Sequence, residues 1–172
     1  MDFLKLASER YSVRKFKKDK LDKDTINKIL ESAHVAPTGC NYQPFRILVL
    51  ESDEAMKSLK NCTKYDFDAP LAMVVCWCKD ESWIRSYDGE MSAPVDADIV
   101  TTHMMLMGYS LGVGSCWVMS FDPQKLKEEY NIPDYCEPRA ILVMGYPSDE
   151  SKPSHLHGKF RPKEDLVFYN KF

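Results

Sequence analysis

The stretch LAMVVCWC, residues 71–78, is an unbroken run of apolar residues between Pro70 and Lys79. A run of this length and composition indicates a strand that is buried on both faces. Such a strand needs a packed layer on each side of its sheet. The stretch therefore predicts a central sheet that is covered on both faces.

The segments on either side of this strand alternate between helix and strand patterns. Apolar spacing and capping residues predict helices at 2–10, about 22–35, 52–62, about 95–111 and 122–131, and further strands at 45–50, 113–120 and 139–146. This alternation indicates an α/β or α+β fold, and it leaves the order and direction of the strands open. The tail from Pro147 to Phe172 ends in the apolar segment LVFYNKF, which needs burial, and docking on a second subunit would provide it.

The length and net charge of the chain limit the number of domains and the kinds of partner that we expect. The chain has 172 residues, the size of one domain, and its net charge of −3 gives no broad attraction to nucleic acid or to an anionic membrane. The first residues, MDFLKLASERYS, lack the features of a signal peptide, and the most apolar stretch, 93–114, carries Asp96, Asp98 and His103. We therefore expect a cytoplasmic protein with no nucleic-acid partner and no membrane segment.

The cysteines and histidines do not suggest a metal site. The six cysteines include no CxxC pair and no secretion signal accompanies them, so we expect buried free thiols rather than a disulfide framework. His155 and His157 lie two residues apart in a predicted loop, which is typical of solvated histidines. We assign no metal.

The segment ERYSVRKF, residues 9–16, opens a basic stretch in an otherwise acidic chain. From Arg10 to Lys20 there are six basic residues and one acid. The lysines in this stretch are typical of a solvated turn. Arg10, Ser12 and Arg14 differ, because two guanidinium groups and a hydroxyl match a phosphate or a polarised carbonyl oxygen. Each such charged hydrogen bond contributes about 1.5–3 kcal/mol.

A second candidate is APTGCNYQPF, residues 36–45, where a helix end meets a turn before a buried strand. Amide side chains beside Pro and Gly are ordinary turn residues. Asn41 and Gln43 could equally present donor and acceptor edges to a heterocycle or a polyol. Spacing alone leaves both interpretations open.

Five blocks of the sequence together resemble a known family. They are RYSVRKF, APTGCNYQPFRILVL, APLAMVV, DADIVTTHMMLMGYSLGVGSCWV and KFRPKEDLV. Their order and separations are similar to those of the nitroreductase family of FMN-dependent oxidoreductases, and the match covers nearly the whole chain. The resemblance implies an α+β three-layer sandwich with a central, mostly antiparallel sheet in one domain, residues 1–172. It also implies a domain-swapped homodimer, in which the tail 147–172 packs on the partner and one FMN lies at each edge of the interface.

The resemblance also implies roles for single residues. Arg10 matches the family's arginine at the FMN phosphate, Ser12 the hydroxyl beside the flavin and ribityl chain, and Arg14 the basic residue that faces the flavin N1 and O2 edge. A permanent cation there would favour the reduced flavin, which makes Arg14 the candidate catalytic residue. The other implied cofactor residues are Lys159 and Arg161 at the phosphate, Ser115 and Trp117 beside the ring, and Pro37, Thr38, Gly39, Asn41 and Gln43 in a turn that reaches the flavin across the subunit boundary.

The implied activity is hydride transfer from NADH or NADPH through flavin N5 to a small electrophilic acceptor, nitroaromatic or quinone, in alternating half-reactions. The alternative is a flavin-binding sensor or store without turnover. A third interpretation, a phosphate-ligand module without flavin, rests on the cluster from Arg10 to Arg14 alone.

Overall fold

The computed structural model describes residues 2–172 and has the predicted alternation of helices and strands. Its elements in chain order are α1 (Phe3–Glu9), α2 (Lys23–His34), β1 (Phe45–Leu50), α3 (Asp53–Leu59), β2 (Leu71–Cys78), α4 (Ala93–Ser110), β3 (Gly114–Val118), α5 (Pro123–Tyr130) and β4 (Cys136–Gly145). Single-turn 3-10 helices lie at Lys79–Glu81 and Lys163–Asp165. Gly39–Asn41 is a tight turn in which Cys40 is not helical. The boundaries agree with the predicted ones, apart from small shifts such as the start of β4 at 136 rather than 139. None of the helices in residues 2–172 has the length and hydropathy needed to cross a membrane.

The four strands form one sheet in the order β1-β2-β4-β3, and each neighbouring pair is antiparallel. β2 is paired on both sides, with Val74 opposite Leu48 on β1 and opposite Ile141 on β4. The apolar run at 71–78 is therefore a central strand, as its sequence predicts. The order, which periodicity alone left open, puts β1 and β3 at opposite edges of the sheet.

Two apolar cores, one on each face of the sheet, make the fold a three-layer sandwich. On one face α3 and α5 contribute Leu59 and Leu126, which are fully buried. On the other face α2 and α4 contribute the equally buried Ile29 and Met104. Alternate residues of β2 and β4 enter the two cores, which is why β2 and residues 140–145 of β4 are apolar throughout. The α+β architecture with an antiparallel sheet is thus confirmed.

Side-chain caps explain where three of the helices begin. Asp22, Ser52 and Asp122 lie just before α2, α3 and α5, and each accepts a hydrogen bond from a backbone N–H in the first turn. At the other end of α5, Asn131 adopts a left-handed conformation with φ 51°. Local sequence therefore sets these boundaries.

The cysteines differ in part from the expectation of buried free thiols. Cys78 and Cys136 lie directly opposite each other on β2 and β4 and form a disulfide. The expectation is wrong here because neighbouring antiparallel strands bring together side chains that are 58 residues apart in sequence. The free cysteines are the exposed Cys40 and the buried Cys62, Cys76 and Cys116. Burial raises the pKa of the Cys76 thiol to about 12.

The tail after β4 leaves the body of the fold. Every residue from Lys152 to Phe172 is exposed. Its links to the body include a hydrogen bond of 3.1 Å from the Tyr11 hydroxyl to Ser151 Oγ and an edge contact between the rings of Tyr11 and His157. Packing of this tail on a partner chain stays a prediction.

Leu126 is the buried residue of α5. We expect Leu126→Ala to lower the free energy of unfolding by about 2–5 kcal/mol, because the shortened side chain leaves a cavity between α5 and the sheet. Urea unfolding followed by circular dichroism measures the change. Lys125→Ala, at the exposed position beside it, should change that free energy by less than about 0.5 kcal/mol. Equal effects of the two substitutions would contradict the packing of α5 described above.

Candidate functional site

The segment after α1 runs in an extended conformation along the edge of β3. Ser12 forms a parallel bridge with Ser115, and the Val13 N–H donates to the Ser115 carbonyl over 2.9 Å. Val13 is buried there because its neighbour is Gly114, where a Cβ would lie 2.6 Å from Val13 Cγ2. Alternate residues of an extended chain point to opposite sides. Val13 therefore anchors the segment to the body of the fold. Ser12 and Arg14 are on the side of the segment opposite to Val13.

Arg10, Ser12 and Arg14 are neighbours of the Cys116 thiol on β3. Burial raises the pKa of Cys116, whereas the charges of Arg14 and Arg10 and the nearby Ser12 side chain act in the opposite direction. Arg14 also donates from Nη1 to the Ser12 carbonyl at 3.2 Å. Burial likewise raises the pKa of Tyr109, near the end of α4, and the charge of Arg10 again opposes the shift. The structure thus brings these three predicted residues together, and we call them the arginine cluster.

The arginines of this cluster differ from the lysines that follow them. Neither Arg10 nor Arg14 forms an ion pair with any residue from 2 to 172. Four of the neighbouring lysines are paired with carboxylates: Lys15 with Glu150, Lys17 with Asp149, Lys20 with Asp53 and Lys23 with Glu51. Lys18 instead donates to the Asp68 backbone carbonyl at 3.5 Å. The lysines are therefore a solvated basic surface, whereas the arginines keep donors for an anion.

The turn between α2 and β1 has an unusual backbone. Cys40, Asn41 and Gln43 have positive φ angles of 49°, 58° and 53°. Residues other than glycine adopt this left-handed conformation only at a cost. Thr38 Oγ1 accepts the Gln43 N–H at 3.0 Å, and Asn41 Oδ1 accepts from Gln43 Nε2 at 3.2 Å. Two of the predicted binding side chains, Asn41 and Gln43, are thus side by side.

The same turn, which starts at the exposed Pro37, is tied to the first turn of α4. The Gly39 N–H donates to Asp96 Oδ1 at 2.9 Å, and Ser92 Oγ donates to Asp96 Oδ2 at 2.8 Å. Asp96 is buried, with 3% of its surface exposed. In the sequence Asp96 is only a charged residue in an apolar helix. Its contact with a glycine 57 residues away emerges only from the fold.

Ser115 and Trp117 lie on β3 in different surroundings. The Ser115 side chain is buried, so this residue meets the N-terminal segment through its backbone. Trp117 is half-buried against the core that contains α4, and its Nε1–H donates to Met119 Sδ at 3.1 Å. Ser115 thus offers backbone groups at this edge, and Trp117 offers an aromatic surface near the end of β3.

Lys159 and Arg161 lie in the tail, and in the described chain no hydrogen bond joins them to the arginine cluster. Both are exposed in the tail, and within residues 2–172 neither side chain forms an ion pair or a hydrogen bond. The tail passes close to the cluster where the ring centroid of His157 lies 6.3 Å from that of Tyr11. The gathering of Lys159 and Arg161 with Arg10 at one phosphate stays a prediction.

The arginine cluster and the turn lie at diagonally opposite corners of the sheet. Ser115, beside the cluster, is level with Met144 and therefore with Leu71 at one end of β2, whereas β1 leaves the turn at Phe45, opposite Trp77 near the other end. Strand spacing and rise per residue separate these corners by about 14 Å across the sheet and about 20 Å along it. One planar ring system is too small to touch both corners of a single chain.

Comparison with known proteins identifies the family. The model described as "Nitroreductase family" matches residues 7–69 and 60–146. A solved nitroreductase family protein from Clostridium difficile 630 is 39% identical with a TM-score of 0.94, and the match covers 100% of both chains. An FMN-dependent nitroreductase from Clostridium difficile R20291 shares the fold at 24% identity and a TM-score of 0.82, covering 99% of this chain and 100% of that one. An NADPH-dependent oxidoreductase from Staphylococcus epidermidis RP62A is 25% identical over an alignment of 184 positions. The alignment covers 97% of this chain and 70% of the relative. The chain described here therefore belongs to the nitroreductase family.

Proposed function

We propose that this protein is an FMN-dependent oxidoreductase that passes hydride from NADH or NADPH to a small electrophilic acceptor. The observation that carries the proposal is the arginine cluster at the edge of β3, whose guanidinium groups have no carboxylate partner within residues 2–172. Family membership supports it. So do the names of similar proteins, which state dependence on FMN or on NADPH.

The donor set at the cluster fits the phosphate of FMN. A phosphate monoester carries close to two negative charges and three acceptor oxygens. Arg10 offers a planar set of N–H donors and Ser12 a hydroxyl, both at an accessible edge. The exposed Lys159 and Arg161 are assigned as further cations from the tail. When bound, FMN supplies the hydride chemistry at its N5 atom.

Arg14 is assigned the catalytic role. It is exposed, shares one side of the extended segment with Ser12, and is steadied by its hydrogen bond to the Ser12 carbonyl. A guanidinium stays charged throughout the physiological pH range. Arg14 therefore stabilises the negative charge that reduction places on the N1 and O2 edge of a flavin, while Ser115 and Trp117 line the ring.

The placement of the arginine cluster and the turn at diagonally opposite corners of the sheet supports a homodimer. In this proposal the arginine cluster of one chain and the turn of its partner enclose one cofactor, so that each chain serves two sites. The turn residues assigned to this contact are Pro37, Thr38, Gly39, Asn41 and Gln43. The side-by-side amides of Asn41 and Gln43 suit the donor and acceptor edge of a flavin.

An apolar face of the molecule is available for this pairing. α1, α2 and α4 border a groove of about 670 Å³, in which Phe3, Leu106 and Met107 take part, and Phe3 is 68% exposed. α4 has apolar residues around its circumference, so one apolar face remains after the other has packed on the sheet. A second copy, with its own apolar tail, is the proposed cover for this surface.

The acceptor is proposed to be a planar, electron-poor molecule such as a nitroaromatic or a quinone. The short stretch between β2 and α4 exposes Trp83 by 37% and Tyr87 by 95%. Trp83 adjoins the turn, because a Cβ on Gly39 would lie 3.3 Å from Trp83 Cβ. Aromatic side chains at this position favour stacking with a planar acceptor.

Loss of a phosphate cation should weaken cofactor binding. We expect Arg10→Ala and Arg161→Ala each to raise the Kd for FMN by about tenfold to hundredfold, because each removes a charged hydrogen bond of about 1.5–3 kcal/mol. Titration of the apoprotein with FMN, followed by flavin fluorescence, measures the Kd. Lys23→Ala removes an exposed cation that pairs with Glu51 and should leave the Kd unchanged. An unchanged Kd in both arginine variants would exclude the assigned phosphate site.

Anaerobic reduction separates an enzyme from a flavin store. NADH or NADPH should bleach the visible absorption of the bound flavin, and a nitroaromatic or a quinone should restore it. Arg14→Ala should lower the reduction potential of the bound flavin, because a positive charge beside the reduced ring is lost. A yellow protein whose flavin stays oxidised with both nicotinamides would be the sensor or store instead.

Removal of the tail tests the proposed dimer. Truncation after Pro147 should give aggregated or unfolded protein, because the apolar groove of the partner would lose its cover. Size-exclusion chromatography with light scattering, beside the full-length chain at the same concentration, reports the outcome. A soluble, flavin-loaded monomer would contradict the proposed assembly.

A further inference from the structure

Asp96 is a buried acid without a cationic partner. Its side chain lies in the first turn of α4 with 3% of the residue exposed, and it forms no ion pair within residues 2–172. A buried carboxylate is unfavourable unless hydrogen bonds and favourable dipoles offset the loss of water. Here the offsets are two hydrogen bonds, one to each oxygen, and the positive end of the α4 dipole. Their arrangement points to what the residue does.

Gly39, Asp96 and Ser92 are joined by two hydrogen bonds, and both are accepted by the Asp96 carboxylate. Asp96 Oδ1 holds the Gly39 N–H and Oδ2 holds the Ser92 hydroxyl. A Cβ on Gly39 would lie 2.7 Å from Ser92 Oγ, so any side chain at position 39 would displace the hydroxyl that donates to Asp96. The glycine is thus needed for close approach, and the three residues tie the turn to α4.

The turn needs an external restraint because its backbone is unfavourable. Cys40, Asn41 and Gln43 are all left-handed, and such conformations persist only where the surroundings fix them. Most hydrogen bonds of this segment are internal, for example the one from the Gln43 N–H to Thr38 Oγ1. In the described chain, Asp96 is the side chain outside the turn that hydrogen-bonds to it.

We propose that Asp96 is a positioning residue for the cofactor site. By holding the Gly39 N–H, it keeps the turn in the conformation in which Asn41 and Gln43 face the flavin of the partner chain. The inference rests on the proposed function, since it assumes that the turn contacts FMN. Loss of Asp96 should therefore weaken and alter flavin binding by more than its effect on folding explains.

The experiment compares two acid-to-alanine changes on the same helix. We expect Asp96→Ala to raise the Kd for FMN by about tenfold or more, because the turn loses a hydrogen bond to a charged acceptor. Asp98→Ala is the matched control: Asp98 pairs with Arg139 and does not touch the turn, so its Kd should stay within about twofold of wild type. Urea unfolding of both apoproteins gives the loss of stability in each.

Two further readouts separate positioning from a merely structural role. At saturating FMN, the visible circular dichroism of the bound flavin should change in Asp96→Ala and stay unchanged in Asp98→Ala, whatever their stabilities. Asp96→Asn should recover most of the affinity, because its Oδ1 still accepts the Gly39 N–H and its amide can donate to Ser92 Oγ. If Asp96→Ala does not fold, Gly39→Ala takes its place, since the added Cβ would displace Ser92.

The outcomes are distinguishable. A wild-type protein that binds no FMN overturns the proposed function, and this inference with it. A wild-type protein that binds FMN, with an Asp96→Ala or Gly39→Ala variant that binds it equally well and with the same dichroism, overturns this inference alone. An equal loss of affinity in Asp98→Ala also overturns it, because the effect would then belong to the helix and not to the turn.

Discussion

The pairing of β2 with β4 is the interaction on which the rest of the molecule depends. These two strands supply the middle of the sheet, from Leu71 opposite Met144 to Cys78 opposite Cys136, and side chains from both enter both cores. A slip of one residue in this register would send each side chain to the opposite helical layer. Because β2 and β4 form the central pair, β1 and β3 are the edge strands. The arginine cluster lies beside β3, and the turn lies beside β1.

The two edges are equipped in different ways. At β3, the extended segment after α1 pairs with the strand through its backbone. Val13 can lie against β3 because Gly114 has no side chain. At β1, a turn with a costly backbone is tied by a buried carboxylate to the neighbouring helix. The first edge therefore presents side chains from an extended segment held by isolated backbone bridges, whereas the second depends on one long-range contact.

Much of this fold could be predicted from local sequence, and the reasons are local. The run at 71–78 reveals its own burial, and Asp22, Ser52 and Asp122 reveal the helix starts because caps act within three residues. Strand order could not be predicted, because an apolar run shows that a strand is covered and not which strand lies beside it.

The residues of the candidate site also fall into those that local sequence predicts and those that only the fold brings together. Arg10, Ser12 and Arg14 could be singled out from the sequence because two guanidinium groups and a hydroxyl lie within five residues and match an anion. The extended conformation that puts Ser12 and Arg14 on one side is visible only in the structure. The bond of Gly39 to Asp96 and the disulfide of Cys78 with Cys136 could not be predicted, because each joins positions more than fifty residues apart. For the turn itself, amide and glycine residues have two physical explanations, and only the family resemblance favoured one of them.

The diagonal separation of the two corners has a thermodynamic consequence for the proposed dimer. In the proposed dimer neither chain has a complete site by itself, so each bound flavin would hold the two subunits together. Binding and association are then linked equilibria, and anything that strengthens one strengthens the other. Cofactor supply would in this way shift the equilibrium between paired and separate subunits, and the protein without flavin would dissociate more readily.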